Sequence, residues 1–516
     1  ARYTFDLHLD GMVVAALARP PDVRPGAPLH DVAPASLDDR AARAVPGVVG
    51  VEATRVGVAV VATDTWAALA GAEALAVTWP PGPHAAHDDA AVERALVAAL
   101  ADGGATVRRQ GDVDAALARA STRVEATYTL PYLAHLNLEP PCAIADVAPA
   151  GQSPRCTVWA PTQSPVGTQE HVARLLDVPP GEVVVYPQPA GSAFGRRVEQ
   201  DVVTEAVVVS ARVGKPVKLV WSRADDLRHD VFRPVSRHVL TAGLDARGAL
   251  TAWRHATSAP SILHQKSGSR FDPTTVEGLR ELPYVADAGD APALALTYHR
   301  ADLPTPLGFW RSVGHSQNAL AIECFVDELA EAARVEPVAL RRQLLGARHP
   351  RHLGVLERAA AEVAAIEARE ASGASRVWGW ALHASFDSYV AMAARCARDG
   401  ERLRVEHVVA AVDCGRVVNP NVVRQQIEGG VCFGLSATLY GRVRIQGGAV
   451  VERGFHDHPV LRFDASPTVD VHLVASEAAP TGVGEIAVPP IGPAVVNAWS
   501  RLLGRRVRSL PLFPSV

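Results

Sequence analysis

The sequence predicts a mixed α/β fold of the α+β kind, spread over two or three domains. Three observations carry this expectation. The chain has 516 residues, well beyond the roughly 100–200 of one ordinary domain. Apolar residues make up 48% of it, enough for large cores. Runs that alternate with period two are interleaved with apolar patterns of helical period, and proline-rich or polar breaks divide them into blocks.

The first block is residues 1–85. Tyr3, Phe5, Leu7 and Leu9 alternate as in a strand. VVGVEATRVGVAVVATD holds two β-rich runs, TWAALAGAEAL is helical with Trp66, Leu69 and Ala70 on one side, and AVTW closes as a strand. Pro80, Pro81 and Pro83 break the pattern. The second block, 86–345, offers strands at RVEATYTLPY, CTVWA, EVVVY, VKLVW and LTAWRHATS. Its helices are expected over 166–177, 198–213 and SQNALAIECFVDELAEAAR, with proline corners at LEPPC and DLPTPLGFW. The third block, 346–516, starts with a helix that runs out into the polar linker EAREASGAS. Strands follow from SRVWGWALH, then a helix in NPNVVRQQIEGGVCFGLSATLYG, further strands and a C-terminal helix near PAVVNAWSRLLG.

Composition excludes some partners. With 51 basic and 55 acidic residues the net charge is −4, which argues against nucleic acid and against an anionic membrane surface, since both call for a basic face. No apolar run reaches the roughly 20 residues of a membrane-spanning helix. Cys142, Cys156, Cys324, Cys396, Cys414 and Cys432 form no C-x-x-C pair, so they read as isolated thiols packed as small hydrophobes. Any iron–sulfur cluster belongs on another chain. The sequence opens without Met and without a signal-peptide pattern, which leaves two readings: something removed upstream, or one piece of a larger assembly.

Six stretches carry candidate chemistry. In PQPAGSAFGRRVEQD, the small residues Gly191, Ser192 and Ala193 precede Phe194, Gly195, Arg196 and Arg197 where a strand is expected to run into a helix. Free N–H groups at a helix start, reached past small side chains, suit an oxyanion, a phosphate or a metal-oxo group. A tight strand-to-helix turn explains the same residues. The stretch is neither G-x-G-x-x-G nor a P-loop. In TGVGEIAVPPIGPAVVNAW, Glu485 follows Gly484 among apolar and proline residues that would desolvate it and raise its pKa, as a general base near neutrality requires; an exposed loop glutamate is the alternative. PLGFWRSVGHSQNALAIE sets Arg311 on a loop before a helix, either to face a ligand or to tie loop carbonyls together. WAPTQSPVGTQEHVARLL puts Gln163 between a strand and a helix, as a ligand-facing or a solvated amide. Glu139 in NLEPPC suits backbone capping. His456 and His458 in FHDHPVLRF would share one face of a strand, with no third metal ligand in view.

Taken in order, these segments resemble one family. WAPTQ, AGSAFGRR, WRSVGHSQNALAIE, QIEGG and GEIAVPPIGPAVVNA are similar to the molybdenum-binding large subunit of the xanthine oxidase type. The similarity is greatest to the isoquinoline 1-oxidoreductase and membrane-associated aldehyde dehydrogenase branch. The resemblance covers almost the whole chain. It implies an α/β hammerhead domain at 1–85 and two molybdenum-cofactor-binding domains at 86–345 and 346–516. It implies oxidation of an aldehyde or an N-heteroaromatic ring with water as oxygen source, and electrons leaving through a pterin to [2Fe–2S] clusters on a small partner subunit. The cofactor implied is molybdenum with molybdopterin cytosine dinucleotide, held without a protein ligand to the metal. Glu485 falls on the family's base and Gln163 on its oxo-facing glutamine. Gly191, Ser192, Ala193, Phe194, Gly195 and Arg196 fall on the loop over the metal, Arg311 and Gly484 on neighbouring turns, and Gln426 and Gly429 on a pterin-contacting segment.

Three departures shape the expectation. Ser192 and Ala193 stand where relatives carry glycine. Val198 stands where purine-oxidising relatives carry glutamate, and no counterpart of their substrate-orienting arginine is found, so a purine substrate is not expected. A pterin-gripping segment with an MGQG signature is not found, and the expectation is that a second chain supplies it. The branch is often exported, which implies a periplasmic site and cytochrome c as electron acceptor. A non-catalytic cofactor carrier or assembly relative of the same fold is the alternative function.

Overall fold

The computed structural model describes residues 1–23, 29, 31–267, 279, 281–285, 292–369, 376–400 and 402–514. Three main sheets organise it. The first has seven strands, in the order Val183–Pro187, Cys156–Ala160, Cys142–Val147, Val217–Val220, Val13–Ala18, Gly57–Ala62 and Val48–Thr54. The second has five: Ala105–Gln110, Ala293–Arg300, Leu250–Ala259, Ser236–Leu244 and Thr122–Leu130. The third has four: Arg376–Ser385, Ser388–Asp399, Arg402–Asp413 and Thr468–Leu473. All three mix parallel and antiparallel neighbours.

The boundary at residue 85 does not divide the first sheet. Val13, Val14 and Ala15 pair in parallel with Val217, Lys218 and Leu219, so strands of the first block lie in one sheet with strands of the second. A buried ion pair seals the junction. Arg19 donates to both carboxylate oxygens of Glu205 at 2.7 Å, Trp221 donates its indole N–H to the same carboxylate at 2.6 Å, and the guanidinium lies 4.3 Å over the Trp221 ring. The boundary at 345 is bridged as well. The His315–Ala333 helix is buried from Ser316 through Ala330, as a helix enclosed on all sides must be, and one hydrophobic core joins the second and third sheets around it.

Local chemistry explains most elements. Pro420 opens the Pro420–Tyr440 helix, and the Asn419 side chain accepts from the N–H groups of Asn421 and Val422. Asp64 and Asp88 cap their helices in the same way. Five of the six cysteines are buried and Cys432 is half-buried.

Four local expectations are corrected. Residues 4–6 form a 3-10 turn in place of a strand, because the Asp6 carboxylate accepts from the Tyr3 N–H at 2.8 Å. Trp66 is 78% exposed, and the helix Thr65–Ala74 buries Ala67, Ala68 and Gly71, small enough to lie against the sheet. The helix expected from 198 begins at Asp201, after a separate 3-10 turn at Arg196–Val198. His456 and His458 sit in a turn closed by Asp457, which accepts from the N–H groups of Arg453 and Gly454. His456 is exposed and His458 buried, and no cluster of three metal-ligating side chains occurs among the described residues.

A second buried ion pair locks the central helix. Arg341 donates to Glu323 at 2.8 Å and 3.0 Å, Tyr284 donates to the same carboxylate at 2.5 Å, and so does the Leu382 N–H at 3.0 Å. Removing one partner strands a buried charge. Arg341→Met is therefore expected to lower stability by about 3–5 kcal/mol, read as a lower midpoint of urea unfolding.

Candidate active site

The loop after the strand Val183–Pro187 is built from unusual backbone. Ser192 (φ 77°), Phe194 (φ 54°) and Gly195 (φ 102°) all lie in the left-handed region. Gly195 has no alternative, since a Cβ there would stand 1.5 Å from the Phe309 carbonyl oxygen. The loop is tied to the proline corner at Glu139. The Glu139 carboxylate accepts from the Gly191 N–H at 2.7 Å, and the Glu139 N–H donates to the Gly191 carbonyl at 3.1 Å. The Ser192 hydroxyl oxygen accepts from the Leu138 N–H at 3.1 Å. Ser192 therefore pins the loop in a way that glycine does not.

Because the helix starts only at Asp201, its free N–H groups do not lie at the small-residue loop. Any backbone offered to a ligand there belongs to the loop itself. The two arginines anchor the joint. Arg196 is 1% exposed and pairs with Asp201 at 2.6 Å and Asp230 at 2.8 Å. Those two carboxylates hold its guanidinium at the start of the following helix. Arg197 donates to the Glu139 carbonyl at 2.7 Å. Its backbone exchanges bonds with Gln163: the Gln163 N–H donates to the Arg197 carbonyl at 2.9 Å, and the Gln163 side-chain oxygen accepts from the Arg197 N–H at 3.2 Å. The Gln163 amide is thus oriented with its oxygen used and its NH2 exposed and able to donate.

Phe194 leaves this knot and meets the ring of Phe433, which in turn stacks on Trp310, two aromatics that sequence reasoning missed. Its centroid is 4.3 Å from that of Phe433, which stacks 4.6 Å from Trp310. Phe433 stood in view as the aromatic two helical turns after Gln426, which places both on about the same face.

Arg311 gathers the remaining candidates. Its Nε donates to the Gly484 carbonyl at 2.7 Å, and its Nη2 to the Gln426 side-chain oxygen at 3.1 Å and backbone oxygen at 3.3 Å. The guanidinium carbon lies 5.8 Å from the ring centroids of both Phe194 and Phe433. Arg311 thus ties the Gly484 loop carbonyl to the Gln426 carbonyl of the Pro420–Tyr440 helix, and both belong to the candidate site. The next residue, Ser312, is also left-handed (φ 77°) and donates its hydroxyl to the Glu485 carbonyl at 2.5 Å. Burial pushes the Glu485 carboxyl above the ordinary glutamate range, opposed by a hydrogen bond from the Ser312 backbone and by the Arg311 charge. Beside it, a Cβ on Gly484 would enter open space, as would one on Gly429.

These residues suit a large group with oxygen atoms and a pterin. There is a desolvated carboxylate, an oriented amide donor, and bare backbone at Gly484 and Gly429. No side-chain ligand cluster is needed for a metal that a pterin holds. Residues 100–345 and residues 362–467 each match the molybdopterin cofactor-binding domain, and together these matches cover more than half of the chain. The chain belongs to the molybdopterin-binding subunits of the xanthine oxidase family. It is similar to the beta subunit of the isoquinoline 1-oxidoreductase of Brevundimonas diminuta, at 31% identity over 100% of this chain and 66% of that protein. It is also similar to a subunit of the nicotinate dehydrogenase of Pseudomonas putida, at 30% identity over 99% of this chain and 44% of that protein. The chain thus spans just under two thirds of the first relative's length and less than half of the second's. The solved quinoline 2-oxidoreductase of Pseudomonas putida 86 has the same fold, with a TM-score of 0.77 at 15% identity over 99% of this chain and 94% of that one.

Gly195→Ala should destabilise the protein by well over about 1 kcal/mol, because it adds backbone strain to a clash with the Phe309 carbonyl. Thermal unfolding should show a clear drop in Tm.

Proposed function

We propose that this chain is the molybdenum-bearing subunit of a hydroxylase that oxidises an aldehyde or an N-heteroaromatic compound with water as the oxygen source. The observation that carries this reading is Glu485, partly desolvated and held by the Ser312 and Arg311 turn, whose guanidinium also lies over the Phe194 ring. When bound, the molybdenum cofactor supplies Lewis acidity and takes up two electrons from the substrate. The chain supplies the rest. Glu485 takes a proton at its carboxylate, which burial makes a stronger base than an exposed glutamate. The Gln163 amide donates a hydrogen bond from the opposite loop. Phe194, Phe433 and Trp310 exclude water on one side, and Arg311 fixes the distance between that wall and the base. The non-catalytic carrier reading rests on Ser192, Ala193 and the missing pterin-gripping segment; against it, Ser192 has a structural role at Leu138 and a carrier has no use for a desolvated base.

The names of the two relatives describe subunits, which supports partner chains. The finer reading is a small [2Fe–2S] subunit as electron acceptor and cytochrome c beyond it. It also includes polypeptide outside these 516 residues that brings the pterin-gripping segment, the cytosine dinucleotide form of the cofactor, and a periplasmic location. Among the described residues, no helix is long and apolar enough to cross a membrane.

Glu485→Gln should cut turnover by about 10²–10⁴-fold while molybdenum per protein stays constant. Loss of metal together with turnover would instead mark Glu485 as structural. The base must be deprotonated to act, so the rate should rise with pH through the Glu485 pKa. Because that pKa is raised, the acid limb of kcat/KM should lie above the ordinary glutamate range, and any residual activity of Glu485→Gln should lack it.

A further inference from the structure

Six arginines are buried among the described residues, and all but one answer to a carboxylate. Arg19, Arg196, Arg197 and Arg341 face Glu205, Asp201, Glu139 and Glu323, and Arg311 feels the charge of Glu485. Arg233 is 3% exposed and has no such partner among the described residues. A guanidinium carries five N–H groups. Arg233 donates Nη2 to the Pro131 carbonyl at 2.8 Å and, at the limit of hydrogen-bond range, Nη1 to the Ser316 hydroxyl at 3.5 Å. Its Nε is buried without a partner. The Trp310 ring lies 5.6 Å from the guanidinium carbon. These neighbours offer dipoles and a ring quadrupole, and none carries a full negative charge. Burial pushes the Arg233 pKa down to about 9 with no opposing charge, so the group is still a cation at neutral pH. His238, held well below its usual range by burial and in part by Arg233, is uncharged there.

The guanidinium borders a cavity of about 20 Å³, room for one water-sized guest. Among the described residues, no Asp or Glu lines it. Its two hydroxyls, of Ser316 and Thr438, donate to the carbonyls of Val313 at 3.1 Å and Gly434 at 2.8 Å, so neither neutralises the cation. Ser316 is also the second residue of the His315–Ala333 helix. The N-terminus of a helix has N–H groups without intrahelical partners and a partial positive charge. Two positive features thus meet in one small cavity, with no acid to oppose them.

We infer that this cavity is the site of a single halide ion such as chloride, held by the Arg233 guanidinium at the start of the His315–Ala333 helix. A water there would take up N–H groups and leave the charge uncompensated. Burying a charge without its partner is strongly destabilising, and a counter-ion removes that cost. The size of the cavity excludes carboxylic acids and larger anions. Trp310 and Val488 line the same cavity, and the Val488 N–H donates to the Glu485 carbonyl at 3.1 Å. The ion therefore stands behind both the aromatic wall and the turn that follows Glu485. It is a structural counter-ion and takes no part in a reaction, so the site does not rest on the hydroxylase reading.

Exchange of gluconate for chloride at constant ionic strength tests the inference on the purified protein, with any chains that accompany it. Gluconate is too large for the cavity. A ligand that binds only the folded state stabilises it with the logarithm of its concentration above Kd. Tm should therefore rise by about 2–4 °C as chloride replaces gluconate from about 1 mM to about 300 mM, and bromide should act alike. Arg233→Met should lose most of this response. Crystals of the wild-type protein soaked in sodium bromide should show an anomalous scattering peak beside the Arg233 guanidinium. A Tm that does not respond to the exchange overturns the inference, as does a response that survives undiminished in Arg233→Met. A soaked crystal with water alone in the cavity overturns it too, and that result depends on no variant.

Discussion

The candidate site depends on one guanidinium. Arg311 sits where three separate parts of the chain converge, and each uses a different side of it. Gly484 and Gln426 accept its hydrogen bonds, and the rings of Phe194 and Phe433 lie against it. Arginine alone among side chains presents several donors in a rigid plane while also stacking on aromatic faces. Lysine in this place would keep the charge and lose the geometry. The backbone is bent to bring it there: Ser312 and Val313 are both left-handed, and strain of this kind persists only where the surroundings over-determine it.

Behind the clamp stand buried charges that are fully paired. Arg19 with Glu205 and Trp221 joins the first block to the second. Arg196 with Asp201 and Asp230 holds the turn that follows the Phe194 loop, and Asp230 also accepts from the His135 N–H at 2.7 Å. Arg341 with Glu323 fixes the central helix against the third sheet. Such pairs add little net stability over apolar packing, but they permit few alternative arrangements. Here they set the relative positions of the loops that carry Phe194, Arg311 and Glu485.

Much of this was legible in the sequence because it is written locally. Strands such as Cys156–Ala160 and Leu250–Ala259 follow from short β-rich runs, and the Pro420–Tyr440 helix from Asn419, Pro420 and an apolar stripe. Glu485 was legible because its neighbours are apolar and proline, which desolvate a carboxylate in almost any fold. The errors were also local in origin. Trp66 has the right period for a buried face, but Ala67, Ala68 and Gly71 pack closer. The joint at Arg196 reads as a helix start until Asp201 and Asp230, one of them distant in sequence, capture the arginine.

By itself the sequence determined the element types, the serial order of motifs and the family, because periodicity, capping and turn chemistry act over a few residues. Only the tertiary structure decided that strands from residues 13–62 and 142–220 share one sheet. It alone also decided that Arg311 binds Gly484 and Gln426, that Phe433 and Trp310 complete the wall begun by Phe194, and that His458 is buried while His456 faces solvent. These are contacts between residues far apart in the chain. Their partners are selected by packing and by the cost of burying an unmatched polar group, and neither is encoded at any one position.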